Sequence, residues 1–187
     1  NFKEVSCWTC HRGNKIPERS PRIACFSRLL IDKGIKHYLE ATTLMMNEFP
    51  FLKNNIFLAG IFWSANLKSN AITKVEIKNW EEGGGIFIGQ PKDKEKFYSS
   101  MDIICVPSFR EGLSNILLEA ASYGCIIVTT SAPGCIDVVK DEAGISCEPR
   151  STESLFKSLK QSIHLSEKEQ LKLRRKAFKN LEKYFKR

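Results

Sequence analysis

The chain has 187 residues, which is enough for one α/β domain with a hydrophobic core of its own. Its composition, 42% hydrophobic and 27% charged, is typical of globular proteins and excludes disorder and collagen-like structure. The formal net charge of +8 favours partners that carry negative charge, such as nucleic acid, anionic lipid or phosphorylated small molecules. No apolar run reaches the roughly 18 residues that a membrane-spanning helix needs.

The seven cysteines and the first residues of the chain predict where the protein is found. An odd cysteine count without regular spacing favours a reducing compartment, and the start NFKEVSCWTCHRGN lacks the apolar core of a signal peptide. We therefore expect a cytoplasmic protein. Cys7, Cys10 and His11 spell the haem-attachment pattern C-x-x-C-H, but nothing else in the sequence supports the export that haem attachment requires. A zinc site would need two more ligands.

Short apolar runs alternate with segments of helical periodicity from Arg22 onwards. The elements predicted in chain order are a strand at 22–27, a helix at 33–49, a strand at 55–62, a weaker helix through 75–80, a turn and strand at 83–89, a helix at 93–100, a strand at 102–107, a helix at 114–124, a strand at 126–130, a short helix at 133–141, a strand at 143–149 and two helices in 151–187 that are separated near 165–166.

Six apolar strands interleaved with helices predict a parallel sheet that helices cover on both faces. Because crossover connections are right-handed, we expect a doubly wound, Rossmann-like α/β domain over 22–164. Residues 1–21 are predicted to be a lead-in or an interdomain linker. Residues 165–187 are predicted to form an amphipathic C-terminal helix with nine Lys or Arg against three Glu, which suits a solvated face, a membrane surface or a docked domain.

The loops that follow the first and fourth predicted strands carry charged side chains. Ligands of open α/β sheets bind at the carboxyl ends of the strands, so Arg28 and Lys33 are expected to meet the loop of Glu111 and Gly112 there. Two cations beside a helix N-terminus can bind an anion, and a glycine lets the backbone approach a phosphate closely. The alternative is that these are solvated surface charges.

Glu111 and Glu119 are separated by eight residues, which corresponds to ~10–12 Å if the span is largely helical. This exceeds the carboxylate separations of about 5–9.5 Å that glycosidases use. It suits the two hydroxyl-rich ends of a nucleotide sugar, with the diphosphate between them. Carboxylates accept hydrogen bonds from vicinal hydroxyls, as they do from ribose in dinucleotide-binding folds.

Four segments carry a resemblance to a known family: SRLLIDKG at 27–34, FIGQ at 87–90, DIICVPSFREGLSNILLEAASYG at 102–124 and IIVTTSAPGCIDVV at 126–139. Together they resemble the C-terminal, donor-binding domain of the family 4 retaining glycosyltransferases, which have the GT-B fold. The most specific element is the E-x7-E pattern from Glu111 to Glu119 behind a Pro-Ser strand end.

The resemblance implies a role for each matching residue. Arg28 and Lys33 would grip the donor diphosphate and stabilise its departure, and Glu111 would contact the donor sugar near the reacting centre. The remaining donor contacts implied are the helix-start residues Gly112, Leu113 and Ser114, the ribose-binding Glu119, and Gly89 and Gln90 beside the base.

The resemblance also implies transfer of a sugar from a nucleoside diphosphate sugar, with UDP favoured, to a glycan or lipid-linked acceptor. We expect a role in bacterial surface polysaccharide synthesis. The expected location is the cytoplasm, with the inner face of the membrane and a peripheral contact of the protein with it as the alternative. Neither a metal nor another cofactor is implied.

GT-B enzymes place their active site between two domains, so the chain alone is expected to be inactive without an N-terminal domain. Two alternatives stay open: a non-catalytic module that binds nucleotide sugars, and a basic nucleic-acid-binding domain that only the charge supports.

Overall fold

The computed structural model describes residues 19–62 and 70–185 of the chain. Its six strands are β1 (Ile23–Phe26), β2 (Ile56–Ala59), β3 (Gly85–Gly89), β4 (Ile103–Val106), β5 (Ile126–Thr130) and β6 (Ile145–Cys147). The helices between and after them are α1 (Ile35–Glu48), α2 (Lys74–Glu82), α3 (Lys94–Ser100), α4 (Asn115–Ser122), α5 (Thr152–Ile163) and α6 (Glu167–Phe185). Short 3-10 helices lie at Pro50–Leu52 and Lys140–Glu142.

All six strands form one parallel sheet in the order β3-β2-β1-β4-β5-β6. The chain starts in the middle of the sheet, winds outward through β2 and β3, and then returns to add β4, β5 and β6 on the other side of β1. This is the doubly wound, Rossmann-like arrangement that the sequence predicts. The direction of winding reverses between β1 and β4, which makes that pair the switch point of the sheet.

The core consists of two layers, one on each face of the sheet. Successive strand residues point to opposite faces, so Ile23 and Cys25 of β1 belong to one layer and Ala24 and Phe26 to the other. Helices α1, α2 and α5 cover the first face, while α3, α4 and α6 cover the second. The predicted apolar stripe of α1 is buried at every position: Ile35, Tyr38, Leu39, Thr42 and Met46.

The predicted helix at 133–141 is wrong, because this segment is a series of turns that ends in the 3-10 helix Lys140–Glu142. Backbone N–H groups there bond mainly three residues back, as Val138 does to Cys135 and Val139 to Ile136. At its end, Asp141 has a left-handed backbone with φ of 58°. The apolar spacing of the segment resembles that of a helix, but a left-handed residue cannot continue an α-helix.

Helix α6 packs on the face that α4 also covers, and it buries Ala177 and Leu181 there. The amide of Asn180 donates a hydrogen bond of 2.8 Å to the carbonyl oxygen of Lys140. The opposite side of α6 is exposed and mostly basic. Lys168, Lys172, Arg175 and Lys179 lie along it, with Glu182 at its end, and Lys172 lies 3.3 Å from a carboxylate oxygen of Glu142. Among the described residues, no helix is both long and apolar enough to cross a membrane.

Candidate functional site

The loops that follow β1 and β4 lie side by side at the switch point. The backbone N–H of Phe109, after β4, donates a hydrogen bond of 2.9 Å to the carbonyl oxygen of Asp32, after β1. Both loops leave the carboxyl ends of adjacent strands, so the side chains that they carry share one edge of the sheet.

Lys33 and Glu111 meet at this edge, with 2.9 Å between Lys33 Nζ and Glu111 Oε1. The lysine side chain is only 10% exposed and the glutamate side chain 22% exposed. A charge-assisted hydrogen bond between partly buried groups is stronger than a surface ion pair because less water screens it. The two residues are 78 positions apart in sequence, so the fold holds this pair together.

The loop after β5 fixes the backbone around Glu111. The N–H of Glu111 donates to the carbonyl oxygen of Pro133, and the N–H of Ser114 donates to that of Gly134, both at 3.3 Å. A Cβ at Gly134 would overlap with the carbonyl oxygens of Glu111 and Gly112. Sequence reasoning missed this loop as part of the site, although the carboxyl-end rule that pointed to the loops after β1 and β4 applies equally to β5.

The other predicted residues of the helix start and of the first loop lie at the same edge. Arg28 is exposed directly after β1, and Leu113 is 43% exposed before α4. Ser114 is buried at the N-cap of α4, where its side chain makes no capping hydrogen bond. A Cβ at Gly112 would meet no atom within 4 Å, so the space above this backbone is open to a ligand.

Glu119 lies one to two turns into α4 and forms a second cluster with residues of α3. Its carboxylate accepts hydrogen bonds from Lys94 Nζ at 3.0 and 3.2 Å and from the Tyr98 hydroxyl at 2.8 Å. Sequence reasoning missed both partners. Glu111 and Glu119 are thus each bound to a lysine of another segment.

Gly89 is the last residue of β3 and Gln90 follows it. The carbonyl oxygen of Gly89 accepts a hydrogen bond of 2.9 Å from the N–H of Gly60. Gln90 is exposed, and a Cβ at Gly89 would meet nothing within 4 Å. Open space therefore lies above the backbone at Gly89 as well as at Gly112.

The described cysteines are buried, and burial raises the pKa of Cys25 and Cys105 and brings that of Cys147 to about 12. They behave as small hydrophobic side chains in the core. No group of three or more His, Cys, Asp or Glu side chains within 19–62 and 70–185 is placed to hold a metal ion. The C-x-x-C-H pattern at 7–11 lies outside the described residues.

The fold and the site define a doubly wound α/β domain with cationic and acidic side chains gathered at the switch point of its sheet. Family comparison identifies the class more closely. The family described as "Glycosyl transferases group 1" matches residues 8–180, and the chain therefore belongs to this family.

Among solved structures, the C-terminal domain of the group 1 glycosyl transferase LpcC from Francisella tularensis is 22% identical, with a TM-score of 0.68 over 90% of this chain and 87% of that one. HepE from Anabaena, solved in complex with UDP, is 18% identical, with a TM-score of 0.74 over 87% of this chain and 44% of that one. These similarities confirm the fold expected for a GT-B C-terminal domain.

A curated relative is the N,N'-diacetylbacillosaminyl-diphospho-undecaprenol alpha-1,3-N-acetylgalactosaminyltransferase of Campylobacter jejuni. It is 26% identical over 151 residues, which are 81% of this chain and 35% of the relative. The chain thus spans about a third of the length of the curated relatives that it matches.

Proposed function

We propose that this chain is the donor-binding part of a retaining glycosyltransferase that moves a sugar from a nucleoside diphosphate sugar to a glycan or lipid-linked acceptor. The observation that carries the proposal is the pair formed by Lys33 and Glu111 at the switch point, 2.9 Å apart. Open space above Gly112 and the exposed Arg28 at the same edge support it, because a diphosphate needs both cations and room.

In the proposed reaction, the bond between the anomeric carbon and the diphosphate oxygen breaks, and negative charge develops on the leaving nucleoside diphosphate. The acceptor hydroxyl oxygen forms the new bond to the anomeric carbon, and its proton passes to the departing diphosphate. Arg28 and Lys33 stabilise the charge on the leaving group. Glu111 holds Lys33 in place before the charge develops, which is electrostatic preorganisation. Glu111 accepts hydrogen bonds from the donor sugar, and Glu119 accepts them from the ribose. Arg28 and Lys33, and not a metal ion, neutralise the charge of the leaving group. Retention at the anomeric carbon rests on the family resemblance.

UDP is the nucleotide favoured by the comparisons, since HepE was solved with UDP bound. The Campylobacter relative is named for an acceptor linked to undecaprenol diphosphate, which supports a lipid-linked acceptor and action at a membrane surface. We place this action at the cytoplasmic face. The exposed basic side of α6 supports a peripheral contact, because anionic lipid attracts clustered Lys and Arg. We assign acceptor binding to an N-terminal GT-B domain, and we propose no nucleic-acid partner.

Calorimetric titration of the 187-residue chain with UDP, GDP and ADP tests donor binding. We expect UDP to bind, Lys33→Ala to weaken binding at least about tenfold, as loss of one charge-assisted hydrogen bond implies, and EDTA to leave it unchanged. Lys160→Ala is the matched control, because Lys160 also forms an ion pair, with Glu48 at 2.6 Å, but bridges α5 to the end of α1. Absence of binding by all three nucleotides, or equal effects of the two variants, would contradict the proposal.

A further inference from the structure

The carboxylate of Glu119 is held by two side chains of very different character. The Tyr98 hydroxyl donates to Oε2 at 2.8 Å, and Lys94 Nζ lies 3.0 Å from Oε1 and 3.2 Å from Oε2. Tyr98 has no exposed surface, whereas the side chain of Lys94 is 51% exposed. One partner is therefore part of the core and the other belongs to the surface.

The ring of Tyr98 is fixed by aromatic neighbours on several sides. It stacks on Tyr123, with ring centroids 5.7 Å apart and planes 13° apart. Phe97 meets it edge-on at 5.2 Å, and Phe26 of β1 lies at 6.4 Å. A ring packed in this way cannot leave its rotamer without disturbing the core layer beneath α3 and α4. The position of its hydroxyl is set by the fold.

The hydroxyl of Tyr98 is also a permanent donor. Burial, and next to it the negative charge of Glu119, raise the pKa of Tyr98 well above its ordinary value. The phenol therefore stays protonated throughout the neutral range. Because an ionised carboxylate can only accept hydrogen bonds, the Tyr98 hydroxyl must donate to Glu119 and never the reverse.

The contact from Tyr98 takes one acceptor position of the carboxylate. A carboxylate has about four lone-pair directions; Tyr98 occupies one on Oε2, and Lys94 lies within hydrogen-bond distance of both oxygens. The side chain of Lys94 is 51% exposed, so it can move aside when ribose hydroxyls bind, whereas the buried Tyr98 stays in place. With one direction fixed from below, rotation of the carboxylate plane is restricted before any ligand arrives. Such preorganisation reduces the entropy that binding would otherwise cost.

We propose that Tyr98 is a positioning residue that holds the Glu119 carboxylate in the orientation needed to accept both ribose hydroxyls, and that it thereby sets the preference for ribonucleotides over 2′-deoxyribonucleotides. The inference rests on the proposed function, in which Glu119 meets the ribose. A deoxyribonucleotide leaves one fixed carboxylate oxygen without its hydroxyl donor. A rotating carboxylate can adapt to the single hydroxyl that remains, so loss of Tyr98 relaxes the preference.

Lys94 supplies a matched control, because it contacts the same carboxylate without being fixed by packing. The side chain of Lys94 is 51% exposed, so water and salt screen its ion pair with Glu119 more than they affect the buried contact from Tyr98. Lys94→Gln therefore removes the ion pair with Glu119 and keeps the hydrogen bond from Tyr98.

The experiment measures the dissociation constants of UDP and 2′-deoxy-UDP by calorimetry for the wild type, Tyr98→Phe, Lys94→Gln and Glu119→Gln. We expect the wild type to prefer UDP about tenfold or more, as expected for one hydrogen bond to a charged group. Tyr98→Phe should reduce the preference to about threefold or less, mainly through weaker UDP binding, while Lys94→Gln should keep it within about twofold of wild type. Phenylalanine retains the buried ring, and a thermal melt checks that the variant is folded.

The outcomes separate the two proposals. A merely structural residue would not alter the ratio of the two dissociation constants. The role of Tyr98 is therefore overturned if Tyr98→Phe retains the wild-type preference or binds both nucleotides more weakly by the same factor. If the wild type binds neither nucleotide, or if Glu119→Gln leaves the ratio unchanged, the assignment of Glu119 to ribose is wrong and the proposed function fails at that point. A loss of preference in Glu119→Gln but not in Tyr98→Phe refutes only the present inference.

Discussion

The loop after β5 supports Glu111 through a backbone contact that tolerates no side chain, and this can be tested with one methyl group. Gly134 has a left-handed backbone with φ of 78°. The Cβ of an alanine there would overlap with the carbonyl oxygens of Glu111 and Gly112. In Gly134→Ala, the alanine must therefore adopt a disfavoured backbone conformation, and its Cβ must displace the backbone that carries Glu111.

Gly89 offers the matched control, since its φ of 64° is also left-handed but a Cβ there would meet nothing within 4 Å. A left-handed alanine costs about 1–2 kcal/mol, of which the lower entropy of its unfolded chain offsets about 0.4–1 kcal/mol. Gly89→Ala should thus lose about 1 kcal/mol of unfolding free energy. Overpacking adds about 1–3 kcal/mol, so Gly134→Ala should lose about 2–4 kcal/mol.

Urea unfolding followed by far-UV circular dichroism measures both losses, and thermal melts give an independent comparison. One kcal/mol corresponds to about 2–4 °C for a domain of this size. We therefore expect Gly134→Ala to melt several degrees below Gly89→Ala. Equal losses for the two variants would show that the loop after β5 moves freely away from Glu111, and the reasoning that it supports the site would be refuted.

Three further changes test the ion pair, a helix cap and the buried thiols. Lys33→Met should lower the unfolding free energy measured in urea by about 1–3 kcal/mol, because Glu111 loses its charged partner; no loss would mean that water replaces the lysine. Thr73→Ala removes the capping box with Glu76 and should cost about 1 kcal/mol. Hydrogen bonds from the Thr73 backbone and hydroxyl lower the pKa of Glu76, so they stabilise the fold most above the ordinary pKa of a glutamate. The difference in melting temperature between the wild type and Thr73→Ala should therefore shrink as the pH falls from about 5 to about 3. A difference that does not change with pH would contradict this reasoning. Burial, and next to it Glu148, raise the pKa of Cys147 to about 12, so peptide mapping should find it unmodified by iodoacetamide at about pH 8 unless the protein is unfolded first.

The architecture follows from the sequence because buried parallel strands need apolar residues on both faces. A strand with one face in water would alternate apolar and polar residues, which runs such as Ile103–Val106 and Ile126–Thr130 do not do. Because the crossovers between parallel strands are right-handed, few topologies remain. The meeting of the Lys33 and Glu111 loops depends only on both following adjacent central strands at the same edge. Both facts can be read from the order of the predicted strands.

The cluster around Glu119 could not be predicted in the same way. Helix α3 runs from the edge strand β3 back to the central strand β4, passing β2 and β1. Which side chains of α3 meet α4 depends on that crossing, and the spacing within KEKFYSS does not encode it. The failed helix at 133–141 has a related cause, because its apolar residues pack against the core through turns whose left-handed residues leave no trace in the hydrophobic pattern.

The lysine partner of Glu111 also explains how an acidic residue can lie beside a site for a diphosphate. An unpaired carboxylate there would repel the ligand, but Lys33 lies 2.9 Å from Glu111. A protonated lysine has three N–H donors, and Glu111 engages one of those of Lys33. Lys33 can therefore donate to a phosphate oxygen while it remains bonded to Glu111. Binding a diphosphate then adds a partner to the pair instead of breaking it, and Glu111 fixes the direction from which Lys33 approaches the ligand.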